Sequence, residues 1–152
     1  MGRRGLLAAA LAAGALAAGA LVAGCGDEEG PPVPTFSGSD EDQVAGTVNA
    51  MTGAIAAGDG ELACGLMTEL GQQRMIRIGR QVGGEGVTTC TDAVPAVEAT
   101  GFDPGDFRVT PNDVFLDEEN PDQGQANCDL RGAFLVVRTE AGWRVSAPAC
   151  VD

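Results

Sequence analysis

The sequence predicts an α+β fold, with N-terminal helices packed on one side of a curved antiparallel sheet. Two periodicities carry that reading. Between Ser39 and Thr100 the apolar residues recur every three to four positions, and after Gly101 they recur every two. Helices first and strands after them, rather than in alternation, favour antiparallel pairing within one α+β layer arrangement.

Taken in order, Ser39 or Asp40 caps a first helix, with Asp42 or Gln43 three residues on, as in a capping box. Val44, Val48, Met51 and Ile55 define its buried face, and Gly58 ends it. Asp59 caps a second helix with the stripe Leu62, Leu66 and Leu70, flanked by Cys64 and Met67 and stopped by Gly71. A short third helix runs from Gln72 through Met75, Ile78 and Val82 to Gly83-Gly84. A weaker fourth begins near Thr88 or Thr89 and reaches Thr100, with Pro95 acceptable only in its first turn. Phe107, Val109 and Pro111 then alternate as a strand, and Asn112-Asp113 turns the chain into Val114-Phe115-Leu116. Ala133 to Val137 is apolar throughout and predicts a central strand buried on both faces. Glu140-Ala141-Gly142 turns it into a last strand, Trp143-Arg144-Val145-Ser146. The Trp143 indole there should face the helices.

The chain opens Met1-Gly2-Arg3-Arg4, then runs uncharged from Gly5 to Gly24, the pattern of a secretory signal. The stretch ends Leu21-Val22-Ala23-Gly24-Cys25, which resembles the lipobox of bacterial lipoproteins. Small Ala23 and Gly24 fit a peptidase cleft, and the Cys25 thiol takes up the lipid before cleavage exposes its amine. A plain membrane-spanning helix accounts poorly for a cysteine at the exit followed by Asp27-Glu28-Glu29. Arg3-Arg4 also resembles a twin-arginine signal, so the export route stays open. The expected organisation is a cleaved signal over 1–24, a lipidated Cys25 with a disordered, Pro-rich tether over 25–38, and one domain over 39–152. The location that follows is the cell envelope, held to the membrane on its extracytoplasmic side.

Setting Cys25 aside for lipid leaves Cys64, Cys90, Cys128 and Cys150, an even set suited to two disulfides in an oxidising compartment. Three connectivities exist. Cys64 and Cys90 lie on consecutive helical segments and Cys128 and Cys150 flank the final hairpin, which predicts the pairs Cys64–Cys90 and Cys128–Cys150. With no histidine and no Cys-x-x-Cys, no metal site is expected, and no cofactor either.

Nine basic residues, all arginine, face 22 acids for a net charge of −13. That argues against nucleic acid and against anionic headgroups as partners. Arg74, Arg77 and Arg80 are the one basic stripe. It either pairs with nearby acids or docks an acidic partner or polyanionic ligand. Asp117 to Asp122 reads as a solvated inter-strand loop rather than a calcium loop. Gly83-Gly84-Glu85-Gly86 lacks the lysine of a phosphate cradle.

The run Ala54-Ile55-Ala56-Ala57-Gly58-Asp59-Gly60-Glu61-Leu62-Ala63-Cys64-Gly65-Leu66-Met67-Thr68 resembles the helix–GD–helix opening of nuclear transport factor 2-like (SnoaL-like) domains. Gly142-Trp143-Arg144-Val145-Ser146 resembles their last strand. The resemblance covers Asp40 to Ala147 and implies a cone-shaped α+β barrel with a pocket between sheet and first helix. Enzymes of that superfamily use an Asp or His base, often with Tyr, and this chain has neither His nor Tyr. Asp113 or Asp129 could serve as a base, and Trp143, Asn127 and Ser146 are the few polar candidates on the strands. Each acid is better explained as a turn or surface residue, so no catalytic residue is assigned. The expected function is therefore non-catalytic binding of an envelope protein or a small apolar ligand held by Val44, Val48, Met51 and Trp143. The alternatives are those residues simply filling a core, an isomerase- or cyclase-type enzyme using a pocket carboxylate, and a structural accessory of an envelope complex.

Overall fold

The computed structural model describes residues 33–128 and 132–148. The expected signal over 1–24, Cys25, Asp129 and Cys150 lie outside those residues. Four helices come first: α1 (Asp40–Ala56), α2 (Gly60–Gly65), α3 (Glu69–Gly83) and α4 (Cys90–Glu98). Two 3₁₀ turns follow, Pro104–Phe107 and Pro111–Asp113. The chain ends in β1 (Val114–Leu116), β2 (Gln123–Cys128), β3 (Gly132–Thr139) and β4 (Gly142–Pro148), an antiparallel meander in the order β1-β2-β3-β4. The α+β class follows directly, helices on one face of a four-stranded sheet.

Caps fix where the helices begin. The Ser39 hydroxyl accepts from Asp42 N–H at 3.2 Å while the Asp42 carboxylate accepts from Ser39 N–H at 3.0 Å, closing the capping box of α1. Asp59 caps α2, Thr68 caps α3, and Thr89 with Asp92 forms a second capping box at α4. Gly58, at φ +69°, turns the chain out of α1.

Several elements differ from expectation. α3 starts at Glu69 rather than Gln72, and Gly71 sits inside it instead of stopping α2. The reason is that Leu66–Thr68 leave the helix to pair with β4: Val145 N–H donates to Leu66 O at 2.9 Å, and Thr68 N–H to Val145 O at 2.9 Å. Leu66 is then buried while Leu70 is 50 % exposed, so the stripe Leu62-Leu66-Leu70 is split between two elements. Pro95 lies mid-helix rather than in the first turn of α4. It leaves the Thr91 carbonyl without its helical donor, and that carbonyl faces Gly60 of α2, where a Cβ would approach it to 2.7 Å.

Phe107–Pro111 is not a strand. The Asn49 side chain of α1 takes both backbone groups of Val109, donating to its carbonyl at 2.7 Å and accepting from its N–H at 3.0 Å. One amide thus stands where a neighbouring strand would. β2 was invisible to an apolar scan because its inward residues are small: Gly124, Ala126 and Cys128 are buried, and Gln123, Gln125 and Asn127 are exposed. β3 is central but buried on one face only, with Phe134 and Val136 inward and Leu135 38 % exposed.

Of the segment expected to be a tether, 33–38 lies against the domain. Val33 and Phe36 pack on the core, and a Cβ at Gly46 would strike the Phe36 ring at 2.6 Å.

Candidate functional site

The four residues expected to line a pocket come together at the centre of the core. Val44, Val48 and Met51 on α1 are completely buried, and Trp143 at the start of β4 is 2 % exposed. They fill the space between α1 and the sheet. The void beside them, bordered by Met51, Ile55, Met75, Phe102, Phe107 and Phe134, holds about 20 Å³ and is apolar. That is room for about one water molecule. Phe102 and Phe107 stack at 4.6 Å between centroids, and Phe107 meets Phe134 edge-on at 6.4 Å, closing the far side.

Buried polarity is sparse. Among the described residues the buried polar side chains are Thr47 and Thr52, whose hydroxyls donate to Gln43 O (2.8 Å) and Asn49 O (3.2 Å) of their own helix. No carboxylate among the described residues is buried. Asp113, one nominal base, accepts from Thr110 N–H (2.8 Å) and Thr110 Oγ1 (2.6 Å) at a 3₁₀ cap. The Thr110 hydroxyl and amide hold its carboxyl below the ordinary value of 3.8, the reverse of what a general base at neutral pH needs. Asn127 and Ser146 lie on the outer face of the sheet, away from inward-facing Trp143. Asp117 closes its own loop by accepting from Glu119 N–H (2.8 Å) and Asn120 N–H (3.1 Å).

Sequence reading missed a latch around Trp143. Arg138 of β3 lies over the indole at 4.9 Å, is ion-paired with Asp40 at the start of α1, and reaches Asp122 at 3.5 Å. Arg138 follows an apolar run directly, which was its one signal. Trp143 Nε1 is buried and finds no acceptor among the described residues.

Among the described residues no helix covers the outer face of the sheet. Phe115, Gln125 and Leu135 are register partners in one row across β1, β2 and β3, and Phe115 is 58 % exposed. With Gln123, Val137 and Ser146 they line an open groove of about 380 Å³. The expected internal pairing of the α3 stripe is not seen: among the described residues Arg74, Arg77 and Arg80 form no ion pair. The Cys64–Cys90 disulfide is present and ties α2 to the first residue of α4, Cα to Cα 6.0 Å. Cys128 is disulfide-bonded as well, and its expected partner Cys150 lies outside the described residues. No helix among the described residues is long and apolar enough to cross a membrane. Compared with known proteins, the chain matches no family model, no curated protein and no solved structure.

Proposed function

We propose that the protein is an extracytoplasmic lipoprotein, anchored through Cys25, whose nuclear transport factor 2-like domain binds a protein partner and does no chemistry. The observation that supports this is the filled interior. The space where a pocket was expected is occupied by Val44, Val48, Met51 and Trp143, with a void of about 20 Å³ beside them. A drug-sized ligand needs several hundred cubic ångströms. Recognition is thereby moved to the outside, where the uncovered sheet face offers Phe115 and Leu135 among amides and a hydroxyl.

The family reading rests on the Gly58-Asp59 turn between α1 and α2 and on Gly142-Trp143 opening the last strand. The anchor reading rests on the Ala23-Gly24-Cys25 motif. Labelled palmitate should enter the wild-type chain and not Cys25→Ser, which should accumulate unprocessed. Titration of the full chain with apolar fluorescent probes and enolisable ketones is expected to give neither saturable binding nor turnover. Saturable binding that shifts Trp143 emission would make the domain a small-ligand carrier. Turnover lost on a single Asp→Asn change would make it an enzyme.

A further inference from the structure

The arginine stripe of α3 is a run of cationic side chains on a strongly acidic chain, and no carboxylate among the described residues neutralises it. Arg74, Arg77 and Arg80 span about 9 Å along the helix at 1.5 Å per residue. Arg77 and Arg80 are exposed and Arg74 half-buried, and none of the three meets a carboxylate among the described residues. Arg80 spends only its Nε, donating to Val87 O at 2.9 Å. Leu70, 50 % exposed, lies one helical turn before Arg74 on the same face. Between the last two guanidinium groups a recess of about 340 Å³ opens, lined by Gln73, Ile76, Arg77, Arg80 and Thr88. A cationic helix face with an exposed leucine suits the plane of a membrane surface.

We propose that this face of α3 docks on anionic lipid headgroups, setting the orientation of the anchored domain. The proposal rests on the lipid anchor proposed above. Val33 is seated against Gly65, where a Cβ would meet its Cγ2 at 2.9 Å, and Gly65 stands just before α3. Cys25 precedes Val33 by eight residues, so the anchor lies within about 28 Å of that point. Without Arg3 and Arg4 the anchored chain carries a net charge of −15 and is repelled by an anionic bilayer as a whole. Held there by its lipid, it turns its acidic faces outward and this stripe inward, so the net charge that discourages free binding dictates the orientation of bound protein.

The test uses the intact lipidated chain on neutral and on anionic phosphatidylglycerol-containing vesicles, with an arginine-specific dicarbonyl reagent read residue by residue by mass spectrometry. Arg74, Arg77 and Arg80 are expected to react roughly threefold more slowly on the anionic vesicles, with Arg108 unchanged. The difference should vanish near 0.5 M salt, where the screening length falls to about 4 Å. The double variant Arg74→Gln, Arg77→Gln keeps the Arg80–Val87 bond and should still float, with Arg80 now reacting equally on both lipids. Equal reactivity on both lipids in the wild-type chain overturns the docking face and leaves the anchor standing. Slow reaction on neutral vesicles and in detergent alike overturns it in favour of an acidic protein segment on the stripe. Failure to float on neutral vesicles removes the anchor, and the proposal with it.

Discussion

Trp143 combines two opposed contributions. Its indole is 2 % exposed beneath Arg138, yet its Nε1 donates to nothing among the described residues. Truncation to Ala should cost about 3–5 kcal/mol, the usual loss for a buried large aromatic. Trp143→Phe should cost less than about 1.5 kcal/mol, because it also removes a buried donor whose unmet bond costs about 1–3 kcal/mol. Urea denaturation of both variants separates these contributions, and similar losses would mean that Nε1 has an acceptor after all. Glycines in the helices give a second contrast. A Cβ on Gly71 would stand 2.4 Å from the Val145 carbonyl oxygen, which is held in the bridge to Leu66–Thr68 and cannot move aside. Gly71→Ala should therefore destabilise by about 1–3 kcal/mol despite the gain in helix propensity. Gly53→Ala, with nothing within 4 Å, should stabilise by about 0.5–1 kcal/mol. Gly71 looked like a helix stop in the sequence because a glycine of close approach and a glycine of termination are written with the same letter.

Helix α4 is short and its cap is correspondingly important. Asp92 accepts from Thr89 N–H at 3.2 Å and from Thr88 Oγ1 at 3.3 Å, and Thr89 in turn accepts from Asp92 N–H. Hydrogen bonds from Thr89, then Thr88, pull its carboxyl below 3.8. A carboxyl depressed in the folded state stabilises fully above its unfolded value and loses that contribution as pH falls through the folded one. Acid unfolding followed from pH 5 to pH 2 should show a shallower limb for Asp92→Asn than for wild type, while an unchanged limb would assign the acid sensitivity elsewhere. Caps were legible to within a residue where Asp59 stands alone and where Ser39 or Asp40 and Thr88 or Thr89 compete, whereas the Thr68 cap of α3 went unread. Strands were legible only where inward residues are large. β3 and β4 carry Phe134, Val136, Trp143 and Val145, whereas β2 turns Gly124 and Ala126 inward and gave no signal. Phe107–Pro111 had the right alternation, but its partner is the Asn49 side chain, which no periodicity can reveal.

At the scale of the molecule, the Cys64–Cys90 bond fastens α2 to α4 across a sequence separation of 26. Cys64→Ala with Cys90→Ala should lower stability by roughly 3 kcal/mol in the chain-entropy picture. Thermal denaturation with and without reductant reads this directly, and a midpoint unmoved by the double change would show that helix packing alone holds the pair. The helices-then-sheet order was legible because two periodicities occupy separate halves of the chain. The candidate pocket was legible as a set of neighbours, though sequence could not say whether they enclose a space or fill it. Their volumes decide that, through Met51 and three phenylalanines meeting around a void of about 20 Å³. The bridge between Leu66–Thr68 and Val145 bears on the order in which this chain can fold. As the chain leaves the ribosome N-terminus first, the helices and both cysteines of the Cys64–Cys90 disulfide emerge long before Val145. The seat of α3 on β4 must then wait for Val145 to arrive. Until that moment α3 lacks its seat, so the closure of the fold waits on its last strand.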